Sequence, residues 1–188
     1  MSVRHALLAI LEQGPCYGYQ LRSEYARRTD VALNVGQIYT TLERLERDGM
    51  VAHQGADERG HVYWGITDAG REAARHWLSE PSAPSGRDEL AHRIALSATL
   101  PGVDAEAVIA AQRASTLERL TAIDGRESDG GVAGAIVHAA EAARARAELE
   151  WLDAAKRAIS AAGEGFGLST ERPRRGRPVR EAAGHASV

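Results

Sequence analysis

The stretch VGQIYTTLERLER, residues 35–47, sets Gln37, Thr40, Thr41, Arg44 and Arg47 three and four residues apart, types that pair with the edges of nucleic-acid bases. Gln37 can pair with N6 and N7 of adenine, Thr40 and Thr41 can meet a thymine methyl or a phosphate, and Arg44 can reach guanine or the backbone. Gly36 keeps the preceding turn slim, so that backbone N–H groups can approach a phosphate. A helix burying Ile38, Leu42 and Leu45 turns Gly36, Gln37, Thr40, Glu43, Arg44 and Arg47 outward, because each residue advances the helix by about 100°. The same charges also fit a solvated face on which Arg44 and Arg47 pair with Glu43 and Glu46.

Two further groups of residues carry related chemistry. Arg59 and His61 flank Gly60 in a polar turn, where Asp57 and Glu58 would repel a phosphate. Arg59 is therefore expected to be the productive contact there, with the others splayed outward. The run RPRRGRPVR, residues 172–180, holds five arginines and no acid. Its core, Arg174, Arg175, Gly176 and Arg177, resembles an AT-hook, in which glycine lets the backbone sink while arginines enter a narrow minor groove. A solvated tail accounts for the same composition. Tyr19 and Arg22 are candidates for contacts to a nucleic-acid backbone, or for core and solvated positions.

Catalytic chemistry finds no such footing. The seven histidines are dispersed, and HExxH, GxSxG and P-loop patterns are absent. GEGFG, residues 163–167, follows a helix rather than a strand and is not read as a nucleotide loop. The single Cys16 cannot form an internal disulfide or a multi-thiolate site and is read as a small buried hydrophobe. No enzyme activity, metal or cofactor is expected.

The elements that must position these residues follow from periodicity. Val3, Leu7, Ile10 and Leu11 mark a helix stopped by Gly14-Pro15. A second helix spans residues 17–28, with Tyr17, Leu21 and Tyr25 on one stripe, and a third runs from Val35 to Asp48-Gly49. Residues 50–54 and 61–66 read as two strands about the turn 55–60, and Thr67 offers the N-cap of a helix carrying Trp77 and Leu78, with Trp64 and Trp77 expected in the core. Helix, helix, helix, hairpin, helix is the order of a winged helix-turn-helix. SEPSAPSG, residues 79–86, has linker composition.

Beyond the linker three helices are expected: one marked by Leu90 and Ile94, one over residues 104–124, and one over residues 132–161. The last carries Ile136, Ala140, Ala147, Trp151, Ala155 and Ile159 roughly along one face. The helical region holds 19 alanines between residues 104 and 163, so a lone helix pair buries little area and a second copy is the economical cover. The fold class is thus mainly α with a small β-hairpin wing: a winged helix-turn-helix over 1–80, an antiparallel helical dimerisation and effector domain over 87–162, and an Arg-rich tail over 163–188. Trp151 among alanines offers either interface packing or a flat surface for a small aromatic effector.

Composition sharpens these expectations. With no run near the ~18 to 20 apolar residues of a membrane span, a soluble, cytoplasmic protein is expected. The 188 residues carry a formal charge of −3, and residues 1–80 hold 9 basic and 11 acidic groups, a net −2. Nucleic-acid binding cannot therefore come from a bulk basic field, only from a few placed arginines, doubled by dimerisation.

Three separated runs, LLAILEQGPCYGYQL, VGQIYTTLERLERDGMV and VYWGITDAG, resemble the PadR family of bacterial transcriptional repressors. The resemblance extends weakly to ELEWLDAA, residues 148–155, and to the subgroup with a longer C-terminal region. It implies a ligand-responsive, homodimeric regulator binding an inverted-repeat operator in double-stranded DNA, with the Tyr39 hydroxyl on a phosphate. Founding members of the family sense phenolic acids. Thr40 departs from the proline many members carry after that tyrosine. The competing expectation is a winged-helix protein-interaction module without specific DNA binding, which an apolar outward face on the third helix would favour.

Overall fold

The computed structural model describes residues 2–81, 89–126, 131–161 and 165–171. Helix α1 (Ser2–Leu11) is followed by β1 (Cys16–Tyr17), α2 (Gly18–Thr29), α3 (Val35–Arg47), β2 (Val51–Ala56), β3 (Val62–Ile66) and α4 (Asp68–Ser79). Then come α5 (Glu89–Thr99), α6 (Ala105–Asp124) and α7 (Gly131–Ala161). The first seven elements form a winged helix-turn-helix. Every residue from Ala6 to Leu11 is at most 1% exposed, so the last six residues of α1 are apolar all round and the other elements are laid about them, while Arg4 and His5 stay half-buried at its start.

The caps explain where the helices begin. Asn34 Oδ1 accepts from Gly36 N–H at 2.8 Å to start α3, and Thr67 Oγ1 accepts from Gly70 N–H at 3.2 Å to start α4. Gly49, at φ +71°, turns the chain out of α3 into β2. The sheet has the order β1-β3-β2 and is antiparallel throughout, with Cys16 opposite Trp64, Tyr17 opposite Tyr63 and Val51 opposite Ile66. β1 corrects the expectation that Tyr17 opens the second helix. Its spacing to Leu21 and Tyr25 suits a helix, but β3 supplies backbone partners that local periodicity does not reveal. Cys16 is fully buried, and burial pushes its thiol pKa up to about 12, which keeps it protonated and inert.

α5 joins two cores. Leu96 and Leu100 belong to the winged core, while Ile94 packs with Val108, Ile109 and Leu152 of α6 and α7. Those two helices run antiparallel, since Arg113 meets Asp153 at 2.8 Å and the Ile123 carbonyl meets His138 Nε2 at 2.9 Å. The buried residues of α7 are Ala142, Ala145 and Leu152, whereas Ile136 and Ala147 are exposed, so the expected stripe is corrected in its first half. Positions stepped mainly by four drift by about 140° between residues 136 and 159 and cannot stay on one face.

The middle of this hairpin is polar. Buried Arg93 of α5 donates to the Glu80 carbonyl at the end of α4 and, at 2.6 Å, to Gln112 Oε1 of α6. Glu148 of α7 accepts from Gln112 at 3.0 Å, Thr116 at 2.6 Å and Arg119 at 2.9 Å. Two of the Arg93 nitrogens are thus bonded, which offsets a burial that would otherwise cost several kcal/mol, while among the described residues its Nε has no partner. Because Ile123 lies opposite His138, the first turns of α7 overhang α6, leaving Val132, Ile136 and Val137 exposed by 80, 64 and 56%.

Residues 165–171, read from sequence as the start of the tail, lie against α2 and α5. Phe166 N–H donates to the Thr99 carbonyl at 3.0 Å, and a Cβ on Gly165 would come within 2.9 Å of the Leu100 backbone.

Gly70 is pressed on the strand end by the α4 cap: a Cβ there would lie 2.2 Å from the Met50 carbonyl oxygen. At Gly65 the 2.2 Å obstacle is instead the end of the exposed, flexible Gln54 side chain. Gly70→Ala should destabilise by about 2 to 3 kcal/mol in chemical denaturation, because backbone must shift. Gly65→Ala should cost less than about 1 kcal/mol.

Candidate nucleic-acid interface

The interface is built on α3. Ile38, Leu42 and Leu45 are fully buried, and Gly36, Gln37, Tyr39, Thr40, Glu43, Arg44 and Arg47 are exposed, as their angular positions require. Among the described residues Arg44 has no ion pair or hydrogen-bond partner, and Arg47 approaches only Asp48, at 3.8 Å. The alternative pairing with Glu43 and Glu46 is not formed; Glu46 faces His53 at 3.6 Å instead. The outward cations of α3 therefore remain open to a ligand.

Tyr39 is 38% exposed, and its ring covers the start of α2 so closely that a Cβ on Gly18 would lie 2.6 Å from its Cζ. Glycine lets the ring lie that close, with the phenol at the rim; a larger residue would have to push the end of the exposed ring aside. Other candidates are partly committed. The Gly36 amide is taken by Asn34, so it is not open to a phosphate. Thr41 is half-buried and its hydroxyl donates to the Gln37 carbonyl at 2.7 Å, leaving its methyl and a lone pair. Arg22 is exposed but donates through Nε to the Leu33 carbonyl at 2.8 Å, bracing the turn between α2 and α3. Tyr19 is half-buried near the start of α2.

The wing turn differs from the expectation that its acids and His61 splay outward. Asp57 folds back: its Oδ1 accepts from the N–H groups of Arg59 at 3.0 Å and His61 at 2.9 Å, and its Oδ2 lies 2.9 Å from His61 Nδ1. His61 in turn stacks on Tyr17, centroids 4.6 Å apart, tying the wing to β1. These are the Asx contacts of a tight turn, completed by Gly60 at φ +76°. Only Glu58 and Arg59 point freely outward, so one acid is withdrawn from beside Arg59.

A cavity of about 710 Å³ lies where α1, α4 and α6 meet the turn at residues 100–104. Ala9, Leu78, Leu100 and Val108 make it largely apolar, and an ion pair sits in its wall, Arg75 Nη2 donating to Glu12 Oε1 at 2.8 Å. Trp151 does not line it; the ring is half-buried against the Ile94, Val108, Ile109 and Leu152 cluster. Arg174, Arg175, Gly176 and Arg177 lie outside the described residues. Among the described residues no group of three or more His, Cys, Asp or Glu could hold a metal, and no helix is long and apolar enough to cross a membrane.

What sequence reasoning missed is the set of charged residues turned inward: Asp57, Arg93, and Glu24 with Arg28 beneath residues 165–171. Of these, only Asp57 left a signal, since Asp before Gly in a short turn marks an Asx turn. Its hydrogen bonds from the His61 side chain and backbone hold its pKa near 2, below the usual 3.8. The folded value is depressed, so the turn's stabilisation is complete above the unfolded pKa and is lost as pH falls through about 2. Hydrogen exchange at the Arg59 and His61 amides should accelerate over this acid window, and Asp57→Asn should remove that pH dependence.

Residues 7–76 match the family profile described as the Transcriptional regulator PadR-like family. Among solved structures, the chain is similar to Bacillus subtilis PadR in complex with operator DNA, at 18% identity and a TM-score of 0.40, covering 85% of this chain and 99% of that one. It is also similar to a PadR-like transcriptional regulator from Bacillus cereus, at 19% identity and a TM-score of 0.37, covering 85% of this chain and 98% of that one. A transcriptional regulator from Clostridium thermocellum is 25% identical, with a TM-score of 0.38, over 39% of this chain and 74% of that one. None of the curated proteins compared with the chain matches it. The three sequence runs, the helix order and the profile all meet in the winged unit, so it is residues 7–76 that are similar to the transcriptional regulator PadR-like family.

Proposed function

We propose that the protein is a homodimeric, ligand-responsive repressor that binds an inverted-repeat operator. The carrying observation is the outward face of α3, polar and basic with Arg44 unpartnered among the described residues, held opposite a fully buried apolar stripe. In this reading Gln37, Thr40 and Arg44 meet base edges, while Tyr39, Arg47 and Arg59 meet phosphates or the neighbouring groove. An outward face lined by polar rather than apolar side chains favours DNA over a protein partner.

Dimerisation is supported by the apolar overhang of α7, Val132, Ile136 and Val137, together with Leu117, which is 50% exposed on α6. Monomers rarely leave such a patch in water, and a second copy would cover it. Ligand response is supported by the apolar cavity between winged unit and α6, sized for a small aromatic molecule whose anionic group could compete with Glu12 for Arg75. A ligand there would alter how α4 and α6 sit together.

Mobility shift on DNA upstream of the protein's own gene tests the reading. Arg44→Ala should weaken binding by roughly 5- to 150-fold and reduce the salt slope by about 1. Unchanged affinity and slope would remove α3 from the interface.

A further inference from the structure

The outward face of α3 carries a group that phosphate binding alone does not call for, a carboxylate near its centre. With Ile38, Leu42 and Leu45 marking the inward direction and about 100° per residue, Thr40 lies within about 15° of the line facing straight out. Glu43 lies about 45° from that line, closer to it than Gln37, and on the same side of the helix as Tyr39. Glu43 is exposed, and among the described residues its carboxylate makes no hydrogen bond or ion pair.

The neighbouring acids are committed elsewhere. Glu46 faces His53 at 3.6 Å, Asp48 takes the Arg4 guanidinium at 2.6 Å, and Asp57 is folded into the wing turn by His61 at 2.9 Å. Arg4 also donates to the Met50 sulfur at 3.1 Å, so the far end of α3 is pinned from α1 without any use of Glu43. Neither the packing of α3 nor its ion pairs account for this acid.

Electrostatics limits what such a group can meet. A helix about 10 to 12 Å across fills a major groove about 12 Å wide, so side chains near its outward centre face base edges and those on its flanks face phosphates. Beside a phosphate a carboxylate is repelled, and more strongly as water leaves the interface. Among base edges, the partner suited to a carboxylate is the N4 amino group of cytosine. Adenine N6 is also a donor, but the N7 lone pair beside it repels a second carboxylate oxygen. Along the axis Glu43 stands about 4.5 Å from Thr40, little more than the ~3.4 Å of one base step.

We propose that Glu43 is a specificity-determining residue of the operator-binding face, its carboxylate accepting from the N4 amino group of a cytosine next to the base pair met by Thr40. The proposal rests on the operator-binding reading above. It gives a winged unit that is already net −2 over residues 1–80 a reason to hold an acid on its contact face. Glu43 weakens attraction to every duplex and regains it at one base only, which widens the gap between operator and unrelated DNA.

The test uses full-length wild type, Glu43→Ala and Glu43→Gln. The operator is selected from a randomised duplex library, and each of its positions is then varied through the four bases. Wild type should prefer cytosine at one position of the half-site by roughly 5- to 150-fold. Glu43→Ala should bind all four bases there within about three-fold, keep its preferences elsewhere, and bind unrelated duplex roughly five-fold more tightly. Glu43→Gln should move the preference to adenine, whose N6 and N7 an amide meets together. Both substitutions fall at an exposed position without partners, so the fold is retained. Unchanged base preferences in both variants overturn the assignment. A loss spread evenly over all operator positions overturns it too, because Glu43 would then act by orienting Arg47, four residues on. Wild type that selects no sequence from the library overturns the operator reading itself, an outcome distinguished from the other two because it precedes any comparison of variants.

Discussion

The burial of residues 6–11 of α1 on all sides is the constraint from which the rest of the winged unit follows. A helical stretch with no polar stripe cannot lie at a surface, so α2, α3, α4, α5 and the sheet each turn an apolar side toward it. Removing one of its buried leucines to alanine would leave a cavity costing about 2 to 5 kcal/mol, a large share of the stability of a domain this size. The amphipathicity of α3 gains its meaning from this arrangement. Ile38, Leu42 and Leu45 are drawn inward, and the opposite face has no choice but solvent or a ligand.

Fine placement is then achieved by a few close contacts. The Tyr39 ring on Gly18 sets the angle of α3 on α2, and the Asp57–His61–Tyr17 chain sets the wing on β1. Both contacts end near the start of α2, so α3 and the wing share one anchorage and any shift of that helix end moves both. Arg93 extends the same logic toward α6 and α7. Its bonds to the Glu80 carbonyl and to Gln112 link the last helix of the winged unit with the helical hairpin that also walls the cavity. A change in the cavity therefore has a short, hydrogen-bonded route to α4.

The parts legible in sequence are those whose signal is local. The stripe of α3, the Thr67 cap and the hairpin turn all depend on residues within a few positions of one another, and they fall where periodicity and turn chemistry put them. Tyr17 was hidden because a residue four before Leu21 satisfies a helical stripe equally well as it satisfies strand pairing with Tyr63. Arg28, Arg93 and Glu24 were hidden for a different reason. Their partners are mostly backbone groups of Thr99, Phe166, Glu80 and Ser169, distant in sequence, and a backbone carbonyl or amide carries no residue signature. A buried arginine of this kind reads as an ordinary surface charge until the fold is known.

Those same arginines change what the formal charge of −3 measures. Arg28 and Arg93 are fully buried and hydrogen-bonded inside the protein, so they contribute little to attraction at the surface. Asp57, conversely, is turned into its own turn and held by His61, so it repels less than its position beside Arg59 would suggest. Net charge counts all of these equally, whereas a partner at the surface feels only charges that face it within about a Debye length. What remains outward on α3 and the wing is a small set of cations, Arg44, Arg47 and Arg59, interspersed with the exposed acids Glu43, Glu46 and Glu58. Such a surface favours short-range, geometry-dependent contacts over long-range capture, and specificity in that regime depends on how rigidly α3 and the wing are held.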